Sequence, residues 1–94
     1  MTTPLTVAPV RHADGAAGLA VAGEIDLSNS HLLASALDSI SGPVRLDLTG
    51  VTYLDSAGLS VLFTHAERLE VSAAPLITPV LRMSGLTDLL SRPT

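Results

Sequence analysis

The sequence predicts an α/β fold: a small mixed β-sheet of about four strands, with helices packed mainly on one face. Three observations predict it. Two-residue alternation and helical spacing succeed one another along the chain in the order β-β-α-β-α-β-α. Turn and breaker residues fall where the period changes, at Asp14-Gly15, Gly42-Pro43, Pro75 and Gly85. Within one strand, Val44, Leu46 and Leu48 alternate with Arg45, Asp47 and Thr49. That alternation marks one dry face and one wet face, so helices are expected on one side only.

Each element has its own warrant. Leu5, Val7 and Val10, with Pro9 among them, predict a first strand at a sheet edge, where the missing N–H of proline costs least. The stretch His12–Gly18, centred on Asp14-Gly15, predicts a hairpin turn into a second, antiparallel strand, Leu19–Ile25. Ser28, Asn29 and Ser30 are all good N-cap types, and Leu32, Leu33, Ala36, Leu37 and Ile40 follow at helical spacing. Ser41-Gly42-Pro43 stops that helix.

The strand Val44–Thr49 leads into a connector, Gly50 to Asp55, and a second helix is expected from near Ser56. Its buried stripe is Leu59, Leu62, Phe63, Ala66 and Leu69, while Ser60, Thr64, Glu67 and Arg68 face water. Leu69–Ala74 predicts a fourth strand stopped by Pro75. A short helix over Thr78–Met83 closes at Ser84-Gly85, and Leu86–Leu90 is expected to add one last turn. No repeat, linker or low-complexity tract divides residues 1–94, so one domain is expected.

Composition narrows the function. Hydrophobic residues make up 47% of the 94 residues and aromatics only 2%, which requires an aliphatic core. A chain of this length buries roughly 60–70% of its unfolded surface, enough for a single core. All five basic residues are arginine and the net charge is −4. That balance disfavours nucleic acid and anionic membrane as main partners. Zero cysteines exclude a disulfide framework and thiolate chemistry. No apolar run nears the ~20 residues of a membrane span. The start, MTTPLTVAPVRH, lacks the features of a signal peptide, so the cytoplasm is the expected location.

The usual catalytic sets are missing. His12, His31 and His65 lie in a turn, at a helix start and inside a helix, without metal-ligand spacing. They are expected to be exposed or half-exposed side chains. Leu54-Asp55-Ser56-Ala57-Gly58 superficially resembles a nucleophile elbow, but that turn needs a glycine two residues before the serine, and position 54 is leucine. There is no Walker lysine, since the chain has no lysine. The acid pairs Glu24 with Asp26, and Asp47 with Asp55, lack a second group to perturb them. Neither enzyme activity nor a metal or other cofactor is expected.

The informative segment is Leu46-Asp47-Leu48-Thr49-Gly50-Val51-Thr52-Tyr53-Leu54-Asp55-Ser56-Ala57-Gly58-Leu59. A strand runs into a loop, which delivers Asp55 and Ser56 to a helix N-terminus, where the ordinary role of a serine is to cap. Together with Gly23-Glu24-Ile25-Asp26-Leu27 and the later Ser84-Gly85-Leu86, this segment resembles STAS domains, the family that includes bacterial anti-sigma factor antagonists. The resemblance covers nearly the whole chain and keeps the order of elements. The stretch from Arg68 to Pro75 and the third helix, with Pro79 inside it, are shorter than the family pattern.

The resemblance implies a switch that regulates transcription. It makes Ser56 the phosphorylation site of a partner that is both serine kinase and anti-sigma factor, with a serine phosphatase to reset it. The unphosphorylated domain binds that partner and frees the sigma factor. Glu24, Asp26, Ser28, Asp55, Ser56, Ala57 and Gly58 are expected at the partner surface. The alternative within the same resemblance is a partner-binding subunit of another complex, in lipid transport or stress signalling.

Overall fold

Four segments join one sheet because each pairs its backbone while burying one row of aliphatic side chains. In a computed structural model, which describes residues 3–86, the strands lie in the order β1-β2-β3-β4. They are β1 (Thr6–Arg11), β2 (Ala17–Ile25), β3 (Val44–Leu54) and β4 (Leu69–Ala73). β1 runs antiparallel to β2, as the hairpin predicts, and β2–β3 and β3–β4 are parallel pairs. Parallel neighbours need crossovers. Helix α1 (Ser30–Asp38) supplies the first, and α2 (Ser56–Thr64) with a 3₁₀ turn at Ala66–Arg68 supplies the second. A short α3 (Thr78–Met83) follows β4, as expected.

The core is aliphatic throughout. Leu19, Val21 and Ile25 of β2 meet Leu46, Leu48 and Val51 of β3, covered by Leu33 and Leu37 of α1 and Leu62 of α2. On the other side of β3 and β4, Asp47, Thr49, Glu70 and Ser72 remain exposed. The helices therefore cover one face of a mixed sheet.

β3 outruns its alternation. The connector expected over Gly50–Asp55 is strand as far as Leu54. Between Ala20 and Ala22 of β2, the facing strand advances from Asp47 to Gly50, and between Gly23 and Glu24 it advances from Val51 to Tyr53. β3 thus carries an extra residue twice, and each one flips which side points inward. The buried positions move from Leu48 to Val51 to Leu54, a spacing that imitates neither strand nor helix in the sequence. β2 in turn starts at Ala17 rather than Leu19, because Ala17 already pairs with Arg11.

Several helical expectations also change. α1 ends at Asp38, leaving Ile40 beyond it, and Leu32 of the expected stripe is exposed. α2 ends at Thr64, so Ala66 lies in the 3₁₀ turn and Leu69 opens β4. Phe63, placed in the buried stripe, is 51% exposed. Arg68, placed in water, sends its guanidinium back to the carbonyls of Leu37, Ile40 and Gly42. Pro79 fits α3 because it lies in the first turn, where no N–H is required. Of the last turn expected over Leu86–Leu90, Leu86 is buried in the core and the rest lies outside the described residues.

Candidate functional site

Parallel pairing brings the C-terminal ends of β2 and β3 to the same end of the sheet. The Asp55 N–H donates to the carbonyl of Ile25 at 3.2 Å, joining the two exits. From there β2 turns through residues 26–29 into α1, and β3 passes through Asp55 straight into α2. The two signature segments named above, around Asp26 and around Ser56, are therefore neighbours.

Asp55, not Ser56, caps α2. Its Oδ1 accepts from Ala57 N at 2.9 Å and Gly58 N at 3.2 Å, satisfying two N–H groups that a helix start leaves open. Its Oδ2 accepts from Leu27 N at 3.2 Å, across 28 residues of sequence. One carboxylate thus fixes both the helix start and the β2–α1 loop. Ser56 becomes the first helical residue, exposed, and its hydroxyl takes no part in the hydrogen bonds of the described residues.

The β2–α1 loop is cross-bonded from within. Asp26 Oδ1 accepts from Ser28 N at 2.9 Å and Ser28 Oγ at 2.5 Å. These donors favour the charged form, and the Ser28 hydroxyl foremost holds the Asp26 carboxyl below its ordinary value. Asn29 spans the loop: its Oδ1 accepts from Asp26 N, and its Nδ2 donates to Glu24 O, each at 2.9 Å. Asn29 stands at the N-cap position of α1, yet its side chain makes no cap hydrogen bond. It is a positioning residue for the loop. A cap-type residue just after Asp26 was the available signal, and it pointed to the wrong role.

The expected partner-surface residues divide in this geometry. Asp26, Ser28, Asp55, Ser56 and Ala57 are exposed or half-exposed at this end. Glu24 does not join them, because its carboxylate accepts from Thr3 N at 3.0 Å and so faces the chain's start. Gly58 is buried. A Cβ there would lie 2.3 Å from Leu54 Cδ1 and 2.9 Å from Ile25 Cγ2, so the glycine lets α2 approach β2 and β3 closely. Gly23 of the first signature likewise answers a backbone demand. Its φ is +97°, and a Cβ would fall 2.1 Å from the Pro4 carbonyl oxygen.

The described residues include no group of three or more His, Asp or Glu placed to hold a metal ion, and no helix among them is long and apolar enough to cross a membrane. What this end offers is an exposed hydroxyl at a helix start capped by Asp55, with the cross-bonded Asp26 loop held to the same carboxylate through Leu27 N.

Fold and site together define a small α/β domain on a mixed sheet, with its two signature segments side by side at one end. The family described as "Mlab, STAS domain" matches residues 8–91, and the chain belongs to the STAS domain family. Among solved structures, an anti-sigma factor antagonist from Mycobacterium paratuberculosis is similar over 100% of this chain and 92% of its own. Its TM-score is 0.82 and its identity 27%. The anti-sigma factor antagonist SpoIIAA in its unphosphorylated form is similar at TM-score 0.72 and 12% identity, over 97% of this chain and 89% of that one. An antisigma-factor antagonist STAS domain from Rhodobacter sphaeroides has TM-score 0.58 and 15% identity, over 93% and 96%. At such identities the last two speak for the fold alone. No curated protein matches the sequence significantly.

Proposed function

We propose that this chain is an anti-sigma factor antagonist. It binds an anti-sigma factor that is also a serine kinase, and phosphorylation of Ser56 by that kinase switches the binding off. The observation that carries the reading is Ser56 itself: an exposed, unbonded hydroxyl on the first residue of α2, in a fold that resembles an anti-sigma factor antagonist over its whole length. A sigma factor freed by this binding would give the chain its effect on transcription, in the cytoplasm, and a serine phosphatase would reset it.

The switch follows from charge. Phosphate adds about −1.5 to −2 charges at neutral pH. A helix N-terminus usually welcomes an anion through its free N–H groups. Here Asp55 already holds the N–H groups of Ala57 and Gly58, so the phosphate adds to a carboxylate instead of replacing it. A partner surface fitted to a neutral hydroxyl then meets both bulk and repulsion. A loss of ~2–3 kcal/mol corresponds to between about 30- and 150-fold weaker binding, enough for a switch.

The test is incubation with a purified anti-sigma factor serine kinase and ATP, followed by mass spectrometry. One phosphate is expected, at Ser56, and modification confined to other serines would refute the reading. Ser56→Ala is expected to bind the kinase without being phosphorylated, and Ser56→Asp to bind within the weakened range. Tight binding of a partner without kinase activity, unchanged by Ser56→Asp, would instead support a subunit of another complex.

A further inference from the structure

Leu27 is 80% exposed, and of the large apolar side chains among the described residues only Met83 is more so. The two differ in setting. Met83 closes the short α3, whereas Leu27 sits in the β2–α1 loop and its N–H is held by Asp55, the residue before Ser56. An exposed leucine on a mobile loop would mean little. This loop is pinned at every residue from Asp26 to Ser30. Asp26 N is held by Asn29, Leu27 N by Asp55, Ser28 N by the Asp26 carboxylate, and the N–H groups of Asn29 and Ser30 by the Asp26 carbonyl.

We infer that Leu27 is the apolar anchor of the partner interface, inserted into a pocket on the kinase that phosphorylates Ser56. The inference rests on the proposed function and adds to it the residue that supplies affinity. Three features carry it. The side chain is offered in a preorganised loop, so little ordering entropy is lost on docking. It is flanked by Asp26 and Asp55, charges suited to the rim of an apolar anchor. The Asp55 carboxylate also ties it to Ser56, so a partner that seats Leu27 receives the Ser56 hydroxyl in a fixed relation to it. The occupant this fits is a protein surface with an apolar pocket bordered by cationic or N–H donor groups.

The test uses the full chain and a purified anti-sigma factor serine kinase, with calorimetry for affinity and Ser56 phosphorylation for rate. Leu27→Ala is expected to weaken binding about ten- to hundredfold. Its phosphorylation should fall mainly through a higher KM, because the hydroxyl and its mount are untouched. Leu27→Met should retain most of the affinity, and Leu27→Glu should bind no better than Leu27→Ala. All three should melt within about four degrees of the parent, since an exposed side chain contributes little to folding. If the parent binds the kinase and Leu27→Ala binds equally well, the anchor is refuted while the proposed function stands. If the parent neither binds nor is phosphorylated by any such kinase, both fall together.

Discussion

Asp26 and Ser28 form the smallest unit with a measurable signature. The Ser28 hydroxyl and N–H both donate to the charged carboxylate, so the Asp26 pKa in the fold lies below its unfolded value. A lowered carboxyl stabilises above its unfolded pKa, and that contribution is lost as pH falls through the folded value. The loop contacts are therefore intact at neutral pH and weaken only in acid. Ser28→Ala should raise the Asp26 titration midpoint toward the ordinary carboxylate value in an NMR titration, and an unchanged midpoint would refute this. Gly58 gives a second residue-scale test. Alanine at a helical position is ordinarily favoured over glycine by about 1 kcal/mol. Here its Cβ would press on Leu54 and Ile25, and overpacking costs about 1–3 kcal/mol. Gly58→Ala should lower the Tm, at about 4–8 °C per kcal/mol for a domain of this size. A higher Tm would show that α2 can shift.

At the scale of elements, the two crossover helices are joined at their C-terminal ends as well as at their starts. Arg68, just after α2, donates to the carbonyls of Leu37, Ile40 and Gly42 around the end of α1. His65, the C-cap of α2, contacts Val61 O and the Asp38 carboxylate, with 10% of its side chain exposed. Of these only the Leu37 carbonyl belongs to α1, where it also accepts from Ile40 N at 3.1 Å; the other two lie in the loop that follows, so Arg68 ties that loop to the helix end. Hydrogen bonds to a charged group contribute about 1.5–3 kcal/mol, and those to Leu37 and Ile40 are part-buried while that to Gly42 is exposed. Arg68→Met keeps the stem and removes the donors, so it should destabilise by about 2–3 kcal/mol in denaturant unfolding. A loss below about half a kcal/mol would show that water replaces the guanidinium there.

Across the whole molecule, these two clusters lie at opposite ends of the central strand. β3 leaves the Arg68 cluster at Val44 and reaches Asp55 after Leu54, and a strand rises about 3.3 Å per residue. The 11 residues of β3 thus set the two clusters roughly 30 Å apart. The Arg68→Met variant, assayed where it remains folded, should therefore bind its partner and accept phosphate at Ser56 at parental rates. A changed rate would reveal coupling along β3.

The order of elements, the one-sided helical cover and the placing of Asp55-Ser56 at the start of a helix were all legible in the sequence. They depend on local periods and on cap and breaker residues, whose effects reach only a few positions. Tertiary pairing decided the rest. The two extra residues in β3 became visible only against β2, which is why Gly50–Leu54 looks like a loop in isolation. Glu24 looks like part of the acidic site until the pairing with Thr3 draws it away. Asn29 looks like a cap until its side chain is seen spanning the loop. Leu27 looks like any leucine after a strand until Asp55, far along the chain, fixes it in solvent. Each of these depends on contacts between residues distant in sequence, and no local pattern encodes where such partners will meet.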